Sequence, residues 1–173
     1  SNMLNVNIAL NNLSFGFVSY NLLLEMFNRR MAPNLFPIMN NADVTAYDKA
    51  SPDFHQYIQA CVSKAPGSYK RKDPAFRLWH IGGSDSSQSN DNYLFVFHEL
   101  DSLTPLELNI LNNQTLIFVS SNYTKEVFEQ SGVTVPVIYV PLAFDANHFL
   151  QTNMKYYVED KTVWSVFGKL ENR

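Results

Sequence analysis

The chain is poor in the residues that announce chemistry or location. A single cysteine, Cys61, in 173 residues excludes an intrachain disulfide and fits a reducing compartment. No apolar run approaches the roughly 18 residues that a membrane span needs. Basic residues are outnumbered 13 to 16 by acidic ones, giving a net charge of −3 and a pI near 5.7. The positive field that a nucleic-acid binder relies on is therefore lacking. No cysteine and histidine cluster has metal-site spacing, and neither "SDSS" nor "ELD" supplies an Asp-x-Asp pair. A G-x-S-x-G elbow is absent, which removes the usual basis for α/β-hydrolase chemistry. So are the G-x-G-x-x-G fingerprint and the P-loop, and there is no internal repeat. Met3-Leu4 runs directly into structured sequence, so no signal peptide is expected. Ser1-Asn2 reads as a remnant of tag cleavage and is set aside. The expected location is cytoplasmic, with peripheral membrane association open.

What is present is apolar and aromatic. These classes make up 46% and 14% of the chain, enough for the core of one folded domain and too much for disorder. Residues 6–10, "VNIAL", form a short apolar run consistent with a buried strand. The polar "NNLSFGF" follows, then an apolar-rich segment over residues 18–30 long enough for a helix. Residues 35–39, "LFPIM", are expected as a second strand. Ser51-Pro52 supplies an N-cap and a first helical residue. Phe54, Tyr57, Ile58, Cys61 and Val62 then fall on one helical stripe, so Cys61 reads as core and not as a nucleophile. Residues 65–74, "APGSYKRKDP", read as a solvated loop.

Two more strands are expected over residues 76–81 and 93–97. Between them "GGSDSSQSNDN" contains no apolar residue, which predicts a flexible, exposed loop at the carboxyl end of a strand. Thr104-Pro105-Leu106-Glu107 is a capping box with proline at the first helical position. "TLIFVS" is a strand. "NYTKEVFEQS" is a helix with Tyr123, Val127 and Phe128 on its apolar face and Gly132 at its stop. "PVIYVPL" is a further strand. Strands alternating with helices predict an α/β fold with a doubly wound, mainly parallel, Rossmann-like sheet. The final "VWSVFG" is an apolar run arriving after that sheet is complete, and it reads as the first piece of a second domain.

The stretch "FVSSNYTKEVFEQSGV…VIYVPLAFDANHF" resembles the end of the N-terminal domain of GT-B, nucleotide-sugar-dependent glycosyltransferases of the retaining type. The resemblance lies in Ser120, Ser121, Gly132, Val133, Pro141, Asp145 and Phe149. Leu142-Ala143-Phe144 stands where the family usually has a glycine turn. "NVNIALNNLSFGFVSYNLLLEMFNRR" is similar to the family's opening strand, glycine loop and first helix. "VWSVFGKLENR" looks like the first strand of its C-terminal domain, without the Lys-Gly pair that commonly follows. The resemblance is strongest over residues 111–149 and weaker before Phe76. It implies residues 3–150 as the acceptor-side domain, and residues 151–173 as a linker plus the first strand of a C-terminal domain. The implied reaction moves a sugar from a nucleoside-diphosphate donor to a hydroxyl of a glycan, lipid or small molecule. No cofactor or metal is implied, and this half alone is expected to be inactive.

Ligands of such a sheet lie at the carboxyl ends of its strands, which selects three loops. In the first, Phe15 and Gly16 are candidates for substrate binding beside the positive end of a helix; Gly16 serving only a tight turn is the alternative. The second carries His80 and Gly82, and the leading alternative for His80 is a core histidine at a strand end. The third carries His98 and Glu99, the candidate catalytic pair, since the family often has a histidine at such a position contacting sugar or acceptor. His98 bonding a loop carbonyl and Glu99 bracing the next loop remain open. Ser121 is a further binding candidate, while Asn122 and Asp145 read as cap and hinge. Rival functions are a free-standing carbohydrate-binding or scaffold module, a sugar-nucleotide epimerase, and an unrelated Rossmann or flavodoxin-like nucleotide binder.

Overall fold

The first strand alternates between apolar and amide side chains. In β1 (Asn5–Ile8), Val6 and Ile8 enter one core while Asn5 and Asn7 face the other side, the period of two that a strand imposes. The computed structural model describes residues 3–10, 16–38, 51–86, 88–96 and 100–141. After β1 come α1 (Gly16–Asn28), β2 (Asn34–Pro37), α2 (Pro52–Ser68), β3 (Ala75–Leu78) and β4 (Asn92–Val96). Then follow α3 (Pro105–Asn112), β5 (Leu116–Val119), α4 (Asn122–Gln130) and β6 (Val137–Tyr139). These six strands form one parallel sheet in the order β2-β1-β3-β4-β5-β6. The result is the doubly wound, Rossmann-like α/β arrangement that the alternation predicts. Its strand order follows the flavodoxin-type 2-1-3-4-5 winding, with a sixth strand added.

Two apolar cores hold the layers together. On one face Val18, Leu22 and Met26 of α1 and Phe54, Ile58 and Cys61 of α2 pack on β1, β3, β4 and β5. On the other, Ile110 and Leu111 of α3 and Phe128 of α4 pack on Leu94, Val96, Ile117, Val119 and Val137. That second core takes no described residue from β1, β2 or β3. There the same face carries Asn5, Asn7, Asn34 and Arg77 instead, and Asn7 Nδ2 donates to the Phe36 carbonyl at 2.8 Å.

The polar half of that face follows from the β3–β4 connection. Residues 79–91 cross from one strand to the next without a helix among the described residues. The sequence reading of an exposed loop holds for Gly82, Gly83, Asp85, Ser86 and Asn90, but not throughout. Ser84 and Ser89 are buried and Gln88 is half-buried, because the segment folds back over the sheet. Its hydroxyl and backbone groups reach polar partners: Ser89 Oγ accepts from Asn5 Nδ2 at 3.3 Å, and the Gln88 carbonyl accepts from the Tyr69 hydroxyl. A polar loop can be buried only where such partners exist.

Helix ends obey local chemistry. Ser51 Oγ accepts from the Phe54 N–H at 3.3 Å, with Pro52 opening α2. The start of α2 is as expected, but its end lies further on. It runs through Pro66 to Ser68, into the stretch read as loop, because Ala65 is buried and its carbonyl accepts from the Tyr69 N–H at 3.0 Å. A proline so near the end removes only one donor from the last turns. Tyr123 is also corrected: it is 51% exposed, and Thr124 takes the buried position beside Phe128. Gly132, at φ +106°, terminates α4 as expected.

The capping box of α3 is fully formed. Thr104 Oγ1 accepts from the Glu107 N–H at 3.1 Å, and Glu107 Oε1 accepts from the Thr104 N–H at 2.9 Å. Thr104→Ala is expected to lower stability by about 1 kcal/mol. It should appear as a lower urea midpoint at unchanged slope.

Candidate functional site: the carboxyl edge of the sheet

From β1 the chain turns to β2 on one side, and from α2 it returns to β3 on the other. The reversal makes the carboxyl ends of β1 and β3 the switch point of the sheet, the place where open α/β sheets take ligands. Gly16 opens the 13-residue helix α1 soon after β1, so the positive end of its macrodipole lies at this edge. Trp79 and His80 follow β3 directly. Trp79 is half-buried against the first core, and its backbone N–H donates to the Phe95 carbonyl at 3.3 Å. The His80 ring meets the Trp79 ring edge-on, with centroids 4.8 Å apart, and its residue is exposed. The His80 carbonyl accepts from Ser84 Oγ at 2.6 Å, which fixes the backbone of this exposed residue. The alternative of a core histidine is therefore excluded for His80.

The neighbouring glycines divide the work. Gly82 is exposed and a methyl group there would meet nothing within 4 Å, so no steric demand explains it. Gly83 has φ +84°, and a Cβ would sit 3.7 Å from Trp79 Nε1, so the turn requires Gly83. Sequence reasoning picked Gly82 of the pair. Ser121 lies at the end of β5 and caps α4: its Oγ accepts from the Thr124 N–H at 3.0 Å and donates to Thr124 Oγ1 at 2.9 Å. Those two bonds occupy the hydroxyl proton and a lone pair, leaving one lone pair for a ligand. Asn122 is the first residue of that helix. Phe15, His98, Glu99 and Asp145 lie outside the described residues, as does the segment 151–173 read as linker and new strand.

A cavity on the α3 side of the sheet was not anticipated. About 250 Å³ of space lies between the β3–β4 connection and α3, lined by Arg77, Asp85, Ser86, Asn109 and Asn113 among others. Arg77 Nε is buried and has no hydrogen-bond partner among the described residues. Burial disfavours the charged guanidinium, and the Asp85 carboxylate partly restores it. The signal in the sequence was the alternation Ala75-Phe76-Arg77-Leu78, which sets an arginine on one face of an otherwise apolar strand.

Cys61 is 1% exposed, and burial pushes its thiol above the usual value, which keeps it protonated and inert. Among the described residues, no group of three or more His, Cys, Asp or Glu is placed to hold a metal ion. Among the same residues, no helix is long and apolar enough to cross a membrane. Comparison with protein-family models gives no match, and neither curated proteins nor solved structures give a significant one.

Proposed function

We propose that this chain is the acceptor-side domain of a GT-B glycosyltransferase, moving a sugar from a nucleoside-diphosphate sugar to a hydroxyl of a glycan, lipid or small molecule. The observation that carries the reading is the strand order at the edge where β1 and β3 end: Trp79 and His80 follow β3, and α1 is the helix that follows its neighbour β1. Each part has a task that sugar transfer needs. The N–H groups at the start of α1 attract a diphosphate oxygen. The Trp79 indole offers an apolar face to a sugar ring, and the His80 imidazole bonds a sugar hydroxyl. His98 and Glu99 follow β4 by two and three residues in sequence. In this reading they orient the acceptor hydroxyl and receive its proton. Catalysis is then mainly positioning, together with stabilisation of the leaving diphosphate. The resemblance over residues 111–149 supplies the reaction class. The protein is then cytoplasmic, at a membrane surface where its acceptor is a lipid.

Saturation-transfer NMR of the chain with UDP-glucose, GDP-mannose and simple methyl glycosides tests this reading. Sugar protons should receive saturation, and Trp79→Ala and His80→Ala should each weaken binding by about tenfold. The 173 residues by themselves are expected to transfer no sugar, because in the GT-B family the C-terminal domain holds most of the nucleotide-sugar contacts. Turnover of a nucleotide sugar by this chain alone would refute that assignment.

The strand order favours one other reading, a flavodoxin-like binder of a flavin or nicotinamide nucleotide at the same β1/β3 edge. Micromolar binding of FMN or NADH, with no response from any sugar, would establish it in place of the transferase.

A further inference from the structure

We propose that the cavity beneath the β3–β4 connection is a second ligand site, built for a monosaccharide-sized anion such as a sugar acid or sugar phosphate and anchored by Arg77. It lies on the α3 side of the sheet. Ala75 and Asn92, the first residues of β3 and β4, line it. Arg77 and Ser84 carry its wall toward the other end of β3, where the guanidinium nears Gly83, but His80 is not among the lining residues.

Three features determine what would enter. Arg77 occupies a position where a doubly wound sheet normally packs an apolar side chain against a helix, as its register partner Leu94 does. A partly buried guanidinium without an acceptor on Nε is poorly satisfied, and its planar fork suits a carboxylate or phosphate. The surrounding groups are the kind that hydroxyls use. Asn109 and Asn113 of the α3 end supply amides, while Ser86 and Asp85 face them from the connection. The Asp85 carboxylate accepts a hydroxyl hydrogen and disfavours a bare, multiply charged ion. Leu106, also lining the cavity, is 67% exposed and gives one apolar wall for the C–H face of a sugar ring. The volume of about 250 Å³ lies below the roughly 300–1,000 Å³ of pockets for larger ligands, so it admits a single sugar ring.

The test is a titration of the ¹⁵N-labelled chain with sodium glucuronate, glucose 6-phosphate, inorganic phosphate and glucose. Glucuronate or glucose 6-phosphate is expected to give saturable shifts at Arg77, Asp85 and Asn109, with Kd at about 1 mM or below. Glucose and phosphate should each bind at least about tenfold more weakly than the better of these two, since each lacks one half of the recognition. Arg77→Lys keeps the charge but loses the fork, and should weaken binding by about tenfold. Asn109→Ala, on an exposed helical position, should weaken it severalfold in a chain that folds normally. His80→Ala should leave it unchanged, so this site and the transferase edge stand or fall separately. Absence of saturable shifts up to about 20 mM, equal affinity for phosphate alone, or unaltered binding in Arg77→Lys would overturn the proposal. Arg77 would then serve only to brace the connection through Asp85.

Discussion

Phe118→Ala lowers the stability of the domain by about 3–5 kcal/mol, the largest loss expected from one core substitution here. Phe118 is fully buried on β5, with its ring 6.2 Å from Phe76 and 6.0 Å from Phe95. The three rings come from three adjacent strands, so they knit the sheet laterally under α1 and α2. Truncation removes apolar area and leaves a void that backbone-paired strands cannot close. Small domains hold only about 5–15 kcal/mol in total. The variant should therefore unfold at a much lower urea concentration, with its slope unchanged. Tyr123→Ala is the matched control. With 51% of that residue exposed on α4, its loss should stay within about 0.5 kcal/mol. A drop below about 1 kcal/mol for Phe118→Ala would mean that the three-ring contact is absent or readily repacked.

The parts of the fold that the sequence disclosed are those fixed by short-range patterns. The α3 capping box, Ser51-Pro52 at α2 and Gly132 after α4 each need only four or five residues of context. Strand–helix alternation likewise carried the parallel sheet. What stayed hidden depends on contacts distant in sequence. A loop of glycine, serine, asparagine and aspartate reads as exposed because its composition is hydrophilic. Two of its serines are buried here all the same, Ser89 because Asn5, 84 residues away, projects from the sheet to meet it. His80 was read inside a strand over residues 76–81, but β3 ends at Leu78 and leaves it exposed beyond the strand. Arg77 was passed over because one charge inside an apolar run looks incidental until strand alternation assigns it a face.

Asn5→Leu should destabilise the chain by about 2–4 kcal/mol, although leucine is the more apolar side chain at a fully buried site. Asn5 Nδ2 lies within bonding distance of three acceptors: the Asp73 carbonyl at 3.2 Å, Ser89 Oγ at 3.3 Å and the Lys70 carbonyl at 3.4 Å. Its Oδ1 accepts from Asn34 Nδ2 at 3.0 Å, and Asn34 Oδ1 in turn accepts from Lys64 Nζ at 3.4 Å. One amide thus joins β2, the entry to β3 and the entry to β4. Leucine satisfies none of these groups and leaves a buried Asn34 amide without its acceptor, which outweighs the gain from apolar burial. Asn5→Asp keeps that acceptor but turns a carboxylate toward three oxygens, so it should be at least as harmful. Hydrogen exchange locates the effect. The Asn90 N–H, bonded to the Arg71 carbonyl at 3.0 Å, should exchange faster as the connection loosens. The Ile117 N–H, on the Pro136 carbonyl at 3.0 Å, should keep its protection. Equal stability for leucine at this position would show that apolar packing alone closes the connection over the sheet. If the amide is what closes it, an asparagine in the first strand shapes the roof of the Arg77 cavity from the far end of the chain's own sequence order.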